Sequence, residues 1–213
     1  MRRRQRRKVL KPEGWSAELV SLVAHFMFDG EIKDKNGCVY QNRNIALINQ
    51  VRSLMKKIFQ LEPIVRFYPD TGVHRISYFY VDLADYMKRK SLELKRYLKD
   101  ASLEEKRAFL RTFFDDEGSA YIWENNRKVR GYQHDLEILK LVQKLLEDFD
   151  IHSRIDKKYK EIVISKKENL IKFRDKINFS KGVYINPNRK NSIWKEKLQK
   201  RQILERAISS YQK

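Results

Sequence analysis

Two related stretches decide how this chain folds: Phe109-Leu-Arg-Thr-Phe-Phe-Asp-Asp-Glu-Gly-Ser119, and a weaker upstream copy, Ser21-Leu-Val-Ala-His-Phe-Met-Phe-Asp-Gly-Glu31. In each of them an apolar run with helical spacing ends in an acid that is followed directly by glycine, Glu117-Gly118 and Asp29-Gly30. A helix that stops at glycine leaves the preceding acid at its C-terminal tip, where the helix dipole disfavours a carboxylate. Two acids in such positions predict a paired site for cations.

Composition and charge narrow the class of protein. The chain has 213 residues, of which 41% are hydrophobic, so it is long enough for one large domain or two small ones with a real core. Lys plus Arg exceed Asp plus Glu by 47 to 28, which gives a formal net charge of +19. This excess favours a polyanionic partner, with nucleic acid ahead of a membrane surface. The single cysteine, Cys38, excludes an intrachain disulfide, and the four histidines lack zinc-ligand spacing.

The N-terminal region predicts no membrane or secretory segment. No apolar run approaches the roughly 20 residues of a membrane span, and residues 1–8 are basic rather than apolar. We therefore expect a protein that is not secreted and acts in a prokaryotic cytoplasm or in an organelle, without a membrane partner. Residues 1–14 are predicted to form a basic arm that lies on phosphates, with a solvated tail or a nuclear-localisation signal as alternatives.

The elements predicted after each acid recur in the same order. Ser16 and the Ser102-Leu-Glu-Glu105 capping box mark the starts of the two acid-tipped helices, and Asn36-Gly37 and Asn125-Asn126 mark hairpin turns. The apolar positions of a later helix recur 91 residues on: Leu47, Ile48, Val51, Leu54, Met55 and Ile58 match Ile138, Leu139, Val142, Leu145, Leu146 and Phe149.

This repeat predicts a mixed α/β (α+β) fold of two pseudo-symmetric αββαββα half-domains, residues 15–100 and 101–213. Each antiparallel sheet buries one face under helices and leaves the other face free. A basic helix is predicted at the C-terminus over Ile193–Ile208.

The two acid-tipped helices are too hydrophobic for surface helices. The small residues Ala24 and Thr112 would let them approach closely, so that Asp29 and Glu117 meet near the pseudo-dyad. Two carboxylates in such a place repel each other unless divalent cations bridge them. Mg²⁺ suits oxygen ligands, and two such ions can activate water and stabilise the leaving oxygen in phosphodiester hydrolysis. The alternative is that each acid is only an exposed helix end.

The segments Leu22–Gly30 and Leu110–Gly118 resemble the two copies of the nine-residue LAGLIDADG motif. The chain resembles a single-chain, two-motif LAGLIDADG homing endonuclease over nearly its whole length, because the repeat of elements after each motif also fits. The resemblance implies a monomer with internal pseudo-two-fold symmetry that cleaves both strands of a long pseudo-palindromic DNA site across the minor groove and leaves 3′ overhangs. It implies Mg²⁺ as the cofactor, with Mn²⁺ as a substitute. The third motif position, usually glycine, is Ala24 and Thr112 in this chain.

The resemblance also assigns site residues. The metal-binding acid of the motif falls on Asp29 and Glu117, with Gly30 and Gly118 beside them. Basic and amide residues near the metals fall on Arg43, on Gln133 or His134, and on Lys181, with Lys90 or Lys95 as the counterpart of Lys181 in the first half. The predicted catalytic residues are Asp29, Glu117, Gln133 and Lys181. A lysine there could polarise the attacking water or offset phosphorane charge, whereas a solvated surface charge is the alternative.

Strand periodicity predicts the DNA-facing side chains. Side chains alternate across a strand, so residues counted in twos from each acid face the groove if the acids do. The two sheets would then form a saddle in the major groove, where side chains read base edges and bind phosphates. Core burial is the alternative for Tyr121 and Trp123. The predicted DNA-binding residues are Lys33, Lys35, Tyr40, Arg43, Arg66, Arg75, Tyr121, Trp123, Lys157 and Lys158.

Two other functions fit the same pattern. One is an RNA maturase that assists intron splicing, with intron RNA as the partner. The other is a DNA-binding regulator that keeps the fold without cleavage.

Overall fold

The structure is a computed structural model, and it describes residues 9–34, 36–187 and 193–212. The chain divides into two compact units, one reaching Leu94 and the other starting at Lys95. This division lies slightly before the boundary predicted after residue 100. Each unit contains one four-stranded antiparallel sheet.

The first half follows the predicted order of elements. Ser16 caps its first helix by accepting a hydrogen bond from the Leu19 backbone N–H at 3.2 Å. The strands pair in the order β1-β2-β4-β3. The elements are α1 (Ala17–Phe28), β1 (Gly30–Lys33), β2 (Gly37–Asn42), α2 (Ile45–Phe59), β3 (Ile64–Tyr68), β4 (Val73–Tyr78) and α3 (Val81–Tyr97).

The second half repeats this order and adds one helix. The predicted capping box is present, because the Ser102 side chain bonds the Glu105 backbone while the Glu105 carboxylate bonds the Ser102 backbone. The strands pair as β5-β6-β8-β7, which is the order of the first sheet. The elements are α4 (Leu103–Glu117), β5 (Gly118–Trp123), β6 (Asn126–Tyr132), α5 (Leu136–Glu147), β7 (Arg154–Asp156), β8 (Glu161–Ser165), α6 (Lys167–Lys176) and α7 (Lys200–Ser209). The predicted pair of αββαββα half-domains with antiparallel sheets is confirmed.

The last helix begins later than the sequence predicts. Instead of starting at Ile193, α7 starts at Lys200. The residues directly before it pair with an earlier segment instead of continuing the helix: the Lys200 N–H donates to the Val183 carbonyl at 2.8 Å, and the Ile185 N–H donates to the Leu198 carbonyl at 3.0 Å.

Part of the predicted N-terminal arm is packed against α3. The Tyr86 hydroxyl donates to the Pro12 carbonyl at 2.9 Å, the Lys90 ammonium lies 4.4 Å from the Trp15 ring centre, and Val9 is buried. Residues 9–15 therefore belong to the first unit, whereas residues 1–8 lie outside the described residues. Within the described ranges, none of the helices has the length and apolar character that crossing a bilayer requires.

Candidate metal and nucleic-acid site

In the first unit, Asp29 lies at the C-terminal end of α1 and is half-buried. Its Oδ2 accepts a hydrogen bond from Asn42 Nδ2 at 2.7 Å. The Oδ1 of the same Asn42 accepts from the Asn44 backbone N–H at 2.8 Å, at the start of α2. Asn42, the last residue of β2, therefore orients the acid and the start of the next helix together. Asn42 was not among the predicted site residues, although the 91-residue offset aligns it with Gln133.

The glycine after each acid is demanded by close contact. A Cβ built on Gly30 would lie 2.6 Å from the Phe26 Cα, and one on Gly118 would lie 2.5 Å from the Phe114 carbonyl oxygen. Neither position needs the left-handed backbone, since the φ of Gly118 is −98°. The chain turns so tightly from helix to strand that only glycine fits there. We call each of these turns, Asp29-Gly30 and Glu117-Gly118, a helix–strand corner, and each corner fixes the position of its acid.

In the second unit, Glu117 is the last residue of α4 and is half-buried. Asp115, two residues earlier, is only 1% exposed. Its Oδ1 accepts a hydrogen bond from the Ser180 N–H at 2.9 Å, whereas Oδ2 has no hydrogen-bond partner among the described residues. Burial raises the pKa of the Asp115 carboxyl to about 6, and the bond from Ser180 and the nearby Lys200 charge oppose this rise.

The donors at the two helix ends fit a hard divalent cation. Mg²⁺ is commonly held by one or two carboxylates together with waters and substrate phosphates, so it does not need a complete protein cage. Each unit offers one half-buried acid on a fixed corner, which matches this requirement for Mg²⁺ or Mn²⁺. Within the part of the chain that the structure describes, no group of three or more His, Cys, Asp or Glu side chains is arranged to hold a metal ion.

Gln133 and Lys181 differ in how the second unit holds them. Gln133 Oε1 accepts from the Asp135 N–H at 3.3 Å, which repeats the relation of Asn42 to Asn44. Lys181 is exposed and directly follows Ser180, the residue that is bonded to Asp115. The structure thus places Lys181 on a segment tied to the last turn of α4.

The other predicted basic residues are engaged elsewhere. Arg43 Nε donates to the Thr71 carbonyl at 2.9 Å, and His134 Nδ1 lies 2.7 Å from Lys160 Nζ, so both hold the turn of a neighbouring hairpin. Lys90 is buried against Trp15, and Lys95 pairs with Asp135 at 2.7 Å.

The open face of the first sheet carries several basic side chains. The register places Lys33 on this face and pairs Arg66 directly with Arg75 there, opposite a core face that contains Ile76. Hydrogen bonds from Arg75 and Arg66 lower the pKa of the Tyr68 phenol. Like charges directly opposite each other destabilise a sheet, so this arginine pair is a natural place for an anion.

The prediction for Tyr40 was wrong. Its side chain is 0% exposed, and its ring packs edge-on against His25 and Phe26, with ring centres 5.5 and 6.3 Å away. Tyr40 alternates with Val39 along β2 and falls on the core face together with Cys38, so it cannot reach DNA. Lys35 lies outside the described residues.

The open face of the second sheet carries an aromatic ring between cations. Lys128 Nζ lies 5.2 Å and the Arg130 guanidinium 5.5 Å from the centre of the Tyr121 ring. The register pairs Tyr121 with Lys128, on the face opposite the buried Val129. Trp123 is on the same face and is 50% exposed, so it is not part of the hydrophobic core. Lys157 and Lys158 are exposed in the turn between β7 and β8.

Comparison with known proteins shows which domain family and which solved structures this chain is similar to. Residues 104–178 match the LAGLIDADG-like domain family. Among solved structures, the homing endonuclease I-DmoI in complex with DNA and Mn matches with a TM-score of 0.57 at 15% identity, covering 76% of this chain and 96% of that chain. Other I-DmoI complexes were solved with its target DNA and Mg, or with DNA and Ca.

A second group of similar structures belongs to DUF199/WhiA. Its N-terminal LAGLIDADG domain matches with a TM-score of 0.59 at 18% identity, covering 80% of this chain and 87% of that chain. Full-length DUF199/WhiA from Thermatoga maritima matches with a TM-score of 0.60 at 17% identity, covering 94% of this chain and 62% of that chain. No curated protein matches the sequence significantly. This protein therefore has the LAGLIDADG fold, with a LAGLIDADG-like domain at residues 104–178.

Proposed function

We propose that this protein is a site-specific, divalent-metal-dependent DNA endonuclease, in which Asp29 and Glu117 each serve the cleavage of one strand. The observation that carries the proposal is the repeated helix–strand corner, with an acid fixed in front of a glycine that contact demands in both units. The substrate is a long pseudo-palindromic duplex, and the products are 3′ overhangs.

The metal and the protein have separate tasks in this proposal. Asp29 in the first unit and Glu117 in the second would each hold a divalent cation through a carboxylate oxygen, with water and substrate phosphate as the other ligands. When bound, Mg²⁺ or Mn²⁺ supplies activation of water and stabilisation of charge on the scissile phosphate. Asn42 orients Asp29 through its amide, and the Lys181 ammonium offsets negative charge that develops on the phosphate.

The open sheet faces supply the DNA contacts. Arg66, Arg75 and Lys33 in the first unit, and Lys128 and Arg130 in the second, bind phosphates and thereby set the register on the duplex. Tyr121 and Trp123 contact base edges or sugars beside these cations. The net charge of +19 and the DNA complexes of I-DmoI support duplex DNA as the partner.

The test is cleavage of a pool of duplex targets in Mg²⁺, with sequencing of the cut ends. We expect double-strand cuts at one long sequence, and Asp29→Asn or Glu117→Gln should lower the rate by at least about a hundredfold, because each removes a metal ligand. Exposed acids provide the matched controls: Asp34→Asn and Glu124→Gln should cut like the wild-type protein. The proposal is wrong if no target in the pool is cut, or if the two acid variants cut normally.

A second candidate is a DNA-binding regulator that does not cleave. The hydrogen bond from Asn42 to Asp29 favours such a regulator, because this bond occupies a carboxylate oxygen that would otherwise bind a metal ion. The same fold in DUF199/WhiA shows that the architecture is not restricted to I-DmoI. Tight binding of one duplex without any cut in Mg²⁺ or Mn²⁺ would establish this function, whereas preference for intron RNA over duplex DNA would establish the maturase.

A further inference from the structure

We infer that Asp115 and Lys200 are positioning residues that hold Glu117 and Lys181 in place for cleavage. The inference rests on the proposed function. It goes beyond that function because neither residue is a metal ligand or a DNA contact.

Lys200 donates hydrogen bonds to the backbone carbonyls at the C-terminal end of α4. Its ammonium is buried, with the residue 7% exposed, and it donates to the carbonyls of Phe114 and Asp115 at 3.2 and 2.5 Å. These carbonyls lie in the last turn of the helix that ends in Glu117. A cation there counteracts the negative end of the helix dipole, which otherwise disfavours a carboxylate at Glu117.

Asp115 ties a distant segment to the same helix turn. Its Oδ1 accepts from the Ser180 N–H at 2.9 Å, and two residues further on the Gly182 N–H donates to Gln199 Oε1 at 2.9 Å. Lys181 lies between these two fixed amides and is itself exposed. The segment that carries Lys181 is therefore anchored on one side by α4 and on the other by the residue that precedes α7.

The corresponding positions of the first unit are built differently. The motif position of Asp115 is occupied by Met27, an apolar residue, and the position 91 residues before Lys181 is Lys90, which is buried against Trp15. An apolar side chain thus suffices to complete α1. Burying a carboxylate and an ammonium costs far more than burying two apolar groups, and what this pair adds is a fixed position for the backbone groups bonded to it.

Amide exchange of the free protein tests the anchoring without any metal or DNA. Asp115→Ala should raise the exchange rate of the Ser180 amide by about tenfold or more, because a hydrogen bond to a charged group is lost. Asp115→Asn keeps an acceptor at Oδ1 and should restore protection to within about threefold of the wild-type rate. Equal exchange in the alanine variant and the wild type would overturn the anchoring.

Single-turnover cleavage of the duplex recovered from the target pool tests the consequence. Asp115→Ala and Lys200→Met should cut about 10- to 100-fold more slowly, while their Kd for that duplex without metal stays within about threefold of the wild-type value. Asp115→Asn should cut nearly normally. Lys195→Met, which removes an exposed positive charge before α7, is the matched control and should cut normally.

The outcomes separate the two ideas. Normal cutting by Asp115→Ala and Lys200→Met, or loss of cutting that only follows loss of DNA binding, would overturn the positioning role while leaving the endonuclease intact. Failure of the wild-type protein to cut would instead refute the proposed endonuclease and with it the catalytic consequence, while the exchange experiment still decides whether Asp115 anchors the Lys181 segment.

Discussion

Glycine is required directly after each of the two acids because a side chain there would clash with its neighbours, and not because the backbone adopts angles that only glycine tolerates. At Gly118, a Cβ would meet the Phe114 carbonyl oxygen at 2.5 Å and the Phe114 Cα at 2.8 Å, and neither backbone atom can move without distorting α4. The sequence identifies the acid–glycine pair, because the pattern is local. It does not identify Asn42 as the partner of Asp29, or Ser180 as the partner of Asp115, because those bonds join residues 13 and 65 positions apart and depend on how the sheets and loops close.

This crowding makes Gly118→Ala a sharp test at the scale of one residue. We expect the variant to lower the free energy of unfolding by about 1–3 kcal/mol, because an added methyl group has no space at the corner. Gly14→Ala is the matched control, since a Cβ at Gly14 meets nothing within 4 Å, and its unfolding midpoint should stay close to that of the wild type. Urea denaturation measures both variants, and equal midpoints for the two would show that the corner relaxes freely.

The order of the elements could be predicted because each signal is short-range: a capping residue, a turn dipeptide, or an apolar periodicity. The two predictions that were wrong at this scale depend on contacts between residues that are distant in sequence. The helix α7 starts late because the residues directly before it pair with residues 183–185, and a Lys/Arg-rich composition alone does not reveal such a partner. Tyr40 was assigned to the open face because the sequence does not state which alternating set of β2 side chains lies under the helices.

The ionisable residue Asp135 at the start of α5 makes the stability of the fold depend on pH. Asp135 caps this helix by accepting from the Glu137 N–H at 2.9 Å, and it pairs with Lys95 at 2.7 Å. The bond from Lys95 is the largest cause that holds the pKa of Asp135 below its ordinary value of 3.8. Because the folded-state pKa is lowered, the ion pair stabilises the fold above about pH 4, and this contribution is lost as pH falls through the folded-state pKa.

Two variants separate the cap from the ion pair. Asp135→Ala should cost about 1 kcal/mol at pH 7, since the cap is lost, whereas Asp135→Asn keeps a good capping residue and should cost only a few tenths, because a partly exposed ion pair contributes little. The difference between Asp135→Asn and the wild type should shrink as pH falls from 7 to 3. Denaturation at a series of pH values measures this, and a constant difference across the range would contradict the assignment to Lys95.

At the scale of the whole molecule, the effect of the net charge of +19 on DNA binding depends on where the basic side chains lie. Many surface cations are already paired with acids, as Arg52 and Lys56 are with Glu62 on the outside of α2. Arg66 and Arg75 instead face each other across β3 and β4 on the open side of the first sheet, where a DNA phosphate would relieve their mutual repulsion. Salt dependence of binding therefore separates cations that contact DNA from cations that only add to the net charge.

The variant Arg66→Gln/Arg75→Gln should weaken binding to duplex DNA and lower the slope of log K against log salt concentration by about 0.9 for each phosphate contact removed, hence by about two in all. The double variant Arg52→Gln/Lys56→Gln removes the same charge from a paired surface and should leave the slope nearly unchanged. Fluorescence anisotropy between low and moderate salt measures both slopes without any cleavage. If the two double variants lower the slope equally, net charge rather than the open sheet face governs binding, and the assignment of this face to DNA fails.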